Sequence, residues 1–245
     1  QGRTAWMTAP YRPAEPADDP AYTGYPVHTE EAVAGFLDTA LADGMQILTH
    51  CNGDAAAAQF IAAYDTARGK HPSAPEIRPV MIHAQLLRPD QMPAMKRLGM
   101  IPSFFVAHTW FWGDAHLKNF GWQRAEKISP AGSALLQGLP FTFHQDSPVV
   151  PPDMLFTLWC AARRLTKAGA HLDLAEALSV PEALRAVTAN AAYQYFEENQ
   201  KGRLRPGMRA DLVVLDKDPL SVPVDEVKDI SVLQTIKDGR LVYEK

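Results

Sequence analysis

Cysteine is scarce in this chain. Cys51 and Cys160 are the only two among 245 residues, too few for a disulfide framework, so the fold has to be held by its core. Long apolar runs are missing as well. None approaches the roughly 18 residues that a membrane-crossing helix needs, and no membrane partner is expected. Nor is there an excess of basic residues: the formal charge of −4 gives no electrostatic footing for nucleic acid. The first residues lack the basic and then apolar order of a signal peptide, which favours the cytoplasm while leaving the compartment unknown. No internal repeat or low-complexity tract is visible. What remains is ordinary for a globular protein, with 47% hydrophobic and 21% charged residues and enough length for one large α/β core.

Residues 1–28 are rich in proline without a sustained period and read as a loop against the main body. Thr29 caps an expected helix over 30–43, with Gly44 as its stop. The period then shortens. Strands are expected at 45–49, 78–82, 101–106 and 139–143, with helices at 54–68, 89–98 and in stretches between 116 and 137. This alternation argues for βαβ units and a parallel sheet. The four strands amount to about half of a closed (β/α)₈ barrel. Helices follow at 153–168 and 179–198, and the tail from 202 reads as a small β appendage with strands at 211–215, 232–236 and 240–243, the last two joined by Asp238-Gly239.

Three of the four barrel-type strands run straight into a histidine or an aspartate: ILTH ending at His50, VMIH ending at His83, and FTFHQD ending at Asp146. The carboxyl ends of strands form the site in barrels and open α/β sheets, so polar residues repeated there converge. Neutral imidazoles and a carboxylate suit a divalent metal, which makes a bound water acidic, and a neighbouring carboxylate can take that water's proton. A single strand-end histidine is more often a hydrogen-bonded structural residue; three in register weigh the other way.

These stretches resemble the metal-dependent amidohydrolase superfamily, in its amidohydrolase family 3 branch. The resemblance rests on THCNGDAA at 49–56, IHAQLLRPDQ at 82–91, FFVAHTWFWGDAH at 104–116, TFHQDSPVVPP at 142–152, EALRAVTANAAY at 182–193 and GRLRPGMRADLVVLDKDPL at 202–220. It implies an α/β fold, the carboxyl-terminal half of a TIM-like (β/α)₈ barrel plus a small β appendage. Residues 1–200 would supply barrel strands five to eight with their helices, and 201–245 a β-strand segment of a composite β-sandwich. It further implies that His50 and His83 are metal ligands and that Asp146 both binds metal and acts as general base. The cofactor would be one or two zinc ions, with iron or manganese as alternatives. The family's HxH pair and its bridging lysine or acid have no counterpart upstream of His50, and QGRTAW at 1–6 resembles the end of the family's DGSxGSRTA segment. The expectation is therefore a fragment, a processed piece or one part of a two-chain assembly, needing the missing amino-terminal half or a partner chain. Open sheet edges would favour association, including a homo-oligomer.

The expected chemistry is hydrolysis of a non-peptide carbon–nitrogen bond, in an N-substituted amide or formamide, by metal-activated water. An isomerase on the same scaffold and a non-catalytic fragment are the alternatives. His108 is expected to contact substrate or polarise the scissile carbonyl, and Trp110, Phe111 and Trp112 to form an aromatic loop suited to a pocket wall, or equally to anchoring that loop. Asp114 and His116 rank below them because that loop is read as running outward. His144 shares a strand side with Asp146 and either meets substrate or orients the aspartate. Gly53 is read as permitting a tight turn, Asp54 as a helix cap, Arg163 and Arg164 as lying on a solvated helix face, and Cys51 as no nucleophile. His28, His71 and His171 are expected at the surface.

Overall fold

The computed structural model describes residues 2–245; Gln1, with which the QGRTAW motif begins, lies outside the described residues. The 2–28 segment is irregular, as its prolines require, and it is tied down. Met7 N–H donates to Thr23 O (2.8 Å), Arg12 N–H donates to Asn119 O (2.8 Å), and Met7 and Tyr11 are buried in a small cluster with Phe120 and Ala125.

Helix α1 spans Glu30–Ala42, and its cap, the Thr29 hydroxyl, accepts from Ala32 N–H at 3.3 Å. Strand β1 (Leu48–Cys51) leads into α2 (Asp54–Lys70), and β2 (Val80–His83) into α3 (Met92–Arg97). After β3 (Ile101–Phe104) come α4 (His108–Phe120), α5 (Trp122–Ala125) and α6 (Ala131–Leu136), then β4 (Thr142–Phe143) and α7 (Met154–Arg163). Helix α8 (Val180–Val187) opens on a capping box between Ser179 and Glu182, and α9 (Ala189–Gln194) follows.

The first four strands form one sheet in the order β1-β2-β3-β4, every pair parallel. The fold class is thus α/β with a parallel sheet. In register, Cys51 faces His83, His83 faces Phe104, and Phe104 faces Phe143, so all four strands finish at one edge. The core sits against this sheet: Met81, Phe104, Phe105, Phe60, Leu37 and Met95 are almost wholly buried, as expected of a parallel sheet wrapped by helices. Strands β5 (Leu212–Leu215), β6 (Val232–Lys237) and β7 (Arg240–Glu244) form a separate antiparallel sheet. Its β6–β7 turn holds Asp238 at φ 50° and Gly239 at φ 76°, the two left-handed residues of the tight hairpin that Asp-Gly predicts.

Three expectations are corrected. The stretch read as an aromatic loop is the first part of α4, which starts at His108 rather than beyond it. Gly53 has an ordinary extended backbone (φ −89°, ψ 154°) and makes no strained turn; a Cβ there would lie 1.8 Å from Trp6 O, so glycine is needed because the amino-terminal loop crosses the start of α2. Asp54 does not cap α2. Its carboxylate accepts from Thr8 N–H (2.9 Å), from the Thr8 hydroxyl and from Arg88 Nη1 (2.8 Å), stitching that loop to the segment after β2.

Candidate functional site

The parallel ladder delivers side chains to its carboxyl edge at successive heights. His50 lies within β1, His83 closes β2, and His144 follows β4 directly, its N–H donating to Phe104 O at 3.1 Å. His83 sits at the centre of the group, its ring centroid 4.4 Å from that of His50, 4.9 Å from His144 and 6.0 Å from His108. The Asp146 carboxylate lies 4.0 Å from His83 Nε2 and is 44% exposed, leaving it open on its other side. Both His83 (φ 70°) and Asp146 (φ 53°) take the left-handed backbone conformation that residues with a Cβ rarely adopt; strain of this kind collects where geometry serves a site.

Burial sets the protonation state. It pushes His83 down to about 4, helped by the neighbouring His144 and His50, and it pushes His144 down to about 4. His108 falls to about 2, through burial and then the adjacent His116. Near neutral pH these rings are uncharged and carry a lone pair, the form in which imidazole binds a metal or accepts a proton. His83 Nδ1 and His144 Nε2 are buried without a hydrogen-bond partner, whereas His144 Nδ1 meets Ser103 Oγ at 3.0 Å. Orphaned buried nitrogens carry a desolvation cost that a ligand would relieve. In chemical type these donors fit a divalent cation. Among the described residues, however, no three of His, Cys, Asp and Glu are arranged to hold a metal ion by themselves.

The helical register of α4 sorts the aromatic stretch into two faces. His108, Trp112, His116 and Phe120 recur every fourth residue and lie in a column: Trp112 packs on His108 at 4.6 Å, and His116 stacks between His108 and Phe120 at 5.6 Å from each. His116, read as running outward, is in fact 1% exposed, with its Nε2 contacting the Gln85 amide at 2.7 Å and His108 Nδ1 at 3.3 Å. Trp110 points elsewhere, against Trp159 (5.0 Å) and Phe156 (6.3 Å) of α7, so the structure brings Trp112 to the histidines and leaves Trp110 away from them. Asp114 is exposed and accepts from Ala168 N–H at 3.1 Å.

Sequence reasoning missed Gln85 and the role of Arg164. Arg164 is fully buried rather than solvated; as the left-handed residue ending α7 it turns inward and donates to Ser129 O, Glu126 O and Ile128 O, while burial lowers its pKa to about 10. Arg163 is the surface partner, 3.0 Å from Asp225. Cys51 is buried, and burial raises its thiol to about 12, which keeps it protonated and unreactive. His28 and His171 are exposed, as expected, and His71 is half-buried beside Asp38. Beside His50 a cavity of about 200 Å³ opens between the amino-terminal loop and the starts of α1 and α2.

A parallel sheet wrapped by helices, with neutral histidines gathered at its carboxyl edge, makes this an α/β protein of the kind whose site lies at the carboxyl ends of the strands. It belongs to the amidohydrolase family, whose model matches residues 1–243. The chain is 30% identical to the N-substituted formamide deformylase of Arthrobacter pascens over 82% of its own length and 37% of that protein. It is 27% identical to the Bacillus subtilis protein YtcJ over its whole length and 45% of that protein. Among solved structures it superposes on an uncharacterized metal-dependent hydrolase from Pyrococcus horikoshii with a TM-score of 0.76 and 26% identity, covering 91% of this chain and 43% of that one. The chain therefore spans less than half the length of these relatives.

Proposed function

We propose that this chain forms part of a metal-dependent hydrolase that cleaves a non-peptide carbon–nitrogen bond, of the N-substituted amide or formamide type. The observation that carries the proposal is the convergence of His50, His83 and Asp146 at one sheet edge, with buried ring nitrogens lacking partners. In this reading His50, His83 and Asp146 would hold a divalent cation, zinc first and iron or manganese as alternatives, with the remaining ligands supplied by an upstream segment or a partner chain. Residues 1–200 would be strands five to eight of the barrel with their helices, and 201–245 part of a composite β-sandwich. A divalent cation, when bound, supplies Lewis acidity that lowers the pKa of water to near about 7.

The chain's own residues do the rest. Asp146, with one side open to solvent, accepts the proton of the attacking water and returns it to the departing amine nitrogen. His108 is neutral and half-buried, and it offers a ring N–H to the carbonyl oxygen as negative charge builds there. His144, fixed by Ser103, crowds His83 and holds it in orientation. Trp112 excludes water from one side of His108. The relative named N-substituted formamide deformylase supports this substrate class.

One observation favours a second reading, a non-catalytic chain: the described donors do not close a metal site by themselves. Elemental analysis of the intact purified protein separates the two. Stoichiometric zinc, iron or manganese, lowered in His83→Ala, is the expected result. A protein that carries no such metal, with or without an upstream partner, would sink the enzymatic reading.

A further inference from the structure

Next to His108 stand two buried polar side chains that the proposed chemistry does not use, Gln85 and His116. Gln85 follows His83 and Ala84, both in the left-handed conformation (φ 70° and 46°), and this turn brings it from the end of β2 to α4. His116 lies about two helical turns along α4 from His108, a spacing that sets both on one face. Its Nε2 is shared: the Gln85 amide nitrogen lies 2.7 Å from it, and His108 Nδ1 lies 3.3 Å from it. The His108 and His116 ring planes are 22° apart and their centroids 5.6 Å apart, well beyond the gap between the two nitrogens, so the rings approach each other through those nitrogens. The other ring nitrogen, His116 Nδ1, is buried with no hydrogen-bond partner.

Burial keeps both rings neutral near pH 7, so each carries one proton and one lone pair. Two arrangements meet that count. In the first, the Gln85 amide nitrogen donates to His116 Nε2. The His116 proton then sits on Nδ1, where it finds no acceptor, and His108 Nδ1–H presses a second donor onto the single lone pair of His116 Nε2. In the second, a half-turn of the Gln85 amide brings its oxygen to the same place, the two ends of an amide being alike in shape. His116 Nε2–H then donates to both Gln85 Oε1 and His108 Nδ1, a three-centre bond of a common kind. What stays unpaired at His116 Nδ1 is a lone pair, whereas a buried N–H without an acceptor is the rarer orphan. We propose that the second arrangement holds, and that Gln85, acting through His116, keeps the proton of His108 on Nε2. Gln85 and His116 are thus positioning residues that fix which nitrogen of His108 can donate. The proposal rests on the amide-hydrolase reading above for the use of that N–H: a His108 whose proton was committed to His116 would have a lone pair, and no donor, for a carbonyl oxygen gathering charge.

Nitrogen NMR of isotope-labelled histidine in the intact protein reads this directly, because a ring nitrogen that carries a proton and one that does not resonate far apart. The wild-type protein should show His108 with Nε2–H and a bare Nδ1. Gln85→Glu, which offers His116 only oxygens, should keep that pattern, and Gln85→Leu, which offers it nothing, should move a measurable share of the His108 proton to Nδ1. With N-ethylformamide as the probe, Gln85→Leu should lower kcat by about 10-fold or more, within the roughly 10²- to 10³-fold limit for losing a whole oxyanion donor, at nearly unchanged KM. Gln85→Glu should recover most of that loss. A wild-type spectrum with the His108 proton on Nδ1, a measurement that needs no variant, would overturn the proposal. So would a His108 pattern that is the same in the wild type and in a folded Gln85→Leu protein, or a loss of kcat that Gln85→Glu does not recover. A His108 proton that follows residue 85 in a protein hydrolysing no amide would count against the proposed activity and leave the relay standing; hydrolysis with a His108 proton indifferent to residue 85 would do the reverse.

Discussion

Along β3 every residue from Ile101 to Phe104 is buried, whereas along β7 every residue from Arg240 to Glu244 is exposed. Both strands carry aliphatic side chains, so composition does not separate them. What separates them is cover: the parallel sheet lies beneath helices, whereas Val213, Leu241 and Val242 of the antiparallel sheet are each more than half exposed. The consequence is electrostatic. Ion pairs of the tail, such as Lys217 with Glu226, are set in water, where they contribute little. The imidazoles at the edge of the parallel sheet are desolvated, and that is where perturbed titration gathers.

The largest effect expected from this contrast is on turnover. Asp146→Asn in the intact protein should lower the hydrolytic rate by about 10²- to 10⁴-fold, the range for loss of a general base, while metal content by elemental analysis stays largely unchanged. Retained activity would remove Asp146 from the role of base. No substitution on β5–β7 should approach this effect, and one that did would break the comparison.

Arg164 gives the next largest effect. Its guanidinium meets three backbone carbonyls in a buried place, so Arg164→Met leaves those acceptors unpaired and should cost roughly 2–4 kcal/mol, read as a lower urea midpoint. The equivalent change on the exposed side, Arg163→Met, loses one pairing with Asp225 and should cost less than about 1 kcal/mol. Equal losses at the two neighbours would mean that burial is not what distinguishes them.

The response to acid is the third. Four histidines, at positions 83, 108, 116 and 144, have pKa values depressed by burial, to about 4, 2, 3 and 4. Above the unfolded value near 6.5, folded and unfolded chains are alike neutral at these rings, so they cost nothing. As pH falls through 6.5 the unfolded chain takes up protons that the folded chain does not. Stability is then lost, by up to about 1.4 kcal/mol per pH unit for each ring, until pH reaches the folded values. His116→Phe should flatten this slope by about one ring's share in denaturation curves taken between pH 6.5 and 4. Asp211, a carboxylate of the tail held low by Lys237, keeps its contribution down to about pH 5 and starts to lose it only below that, so it should add no slope over the upper part of that window.

Much of the parallel sheet was legible because an apolar run ending in histidine combines burial and position in one short string; ILTH and VMIH do so at β1 and β2. Strand limits were less so. The first was expected at 45–49 and is found at Leu48–Cys51, two or three residues nearer the site. Helix α4 was misread because tryptophan and glycine inside HTWFWGDAH look unlike a helix. Yet the fourfold spacing of His108, Trp112 and His116 was present, and Gly113 is explained by Thr166, whose Cγ2 would lie 2.6 Å from a Cβ there. Asp54 and Arg164 were misjudged for one reason: their partners, Thr8 and Arg88 for one and the 126–129 carbonyls for the other, are distant in sequence, and local pattern carries no trace of them. The four-residue lookback that identifies caps and faces cannot see such contacts.

The smallest predicted effect tests the other half of the comparison. Leu241 is 52% exposed on β7, so exchanging it for threonine, itself a good strand former, should change the chain's stability by less than about 0.5 kcal/mol. Val80, buried completely on β2, offers the matched control, because Val80→Thr places a hydroxyl among apolar neighbours and should cost about 1–3 kcal/mol. Denaturant midpoints of the two variants, measured side by side in the 245-residue chain and again in the longest protein that contains it, turn exposure into a direct readout. A Leu241→Thr loss that stays small in both places the antiparallel sheet in water. A loss that is small in the chain and rises toward the Val80 value in the longer protein means that β7 is covered there by residues outside this chain, and the contrast between the two sheets then belongs to the chain rather than to the assembled molecule.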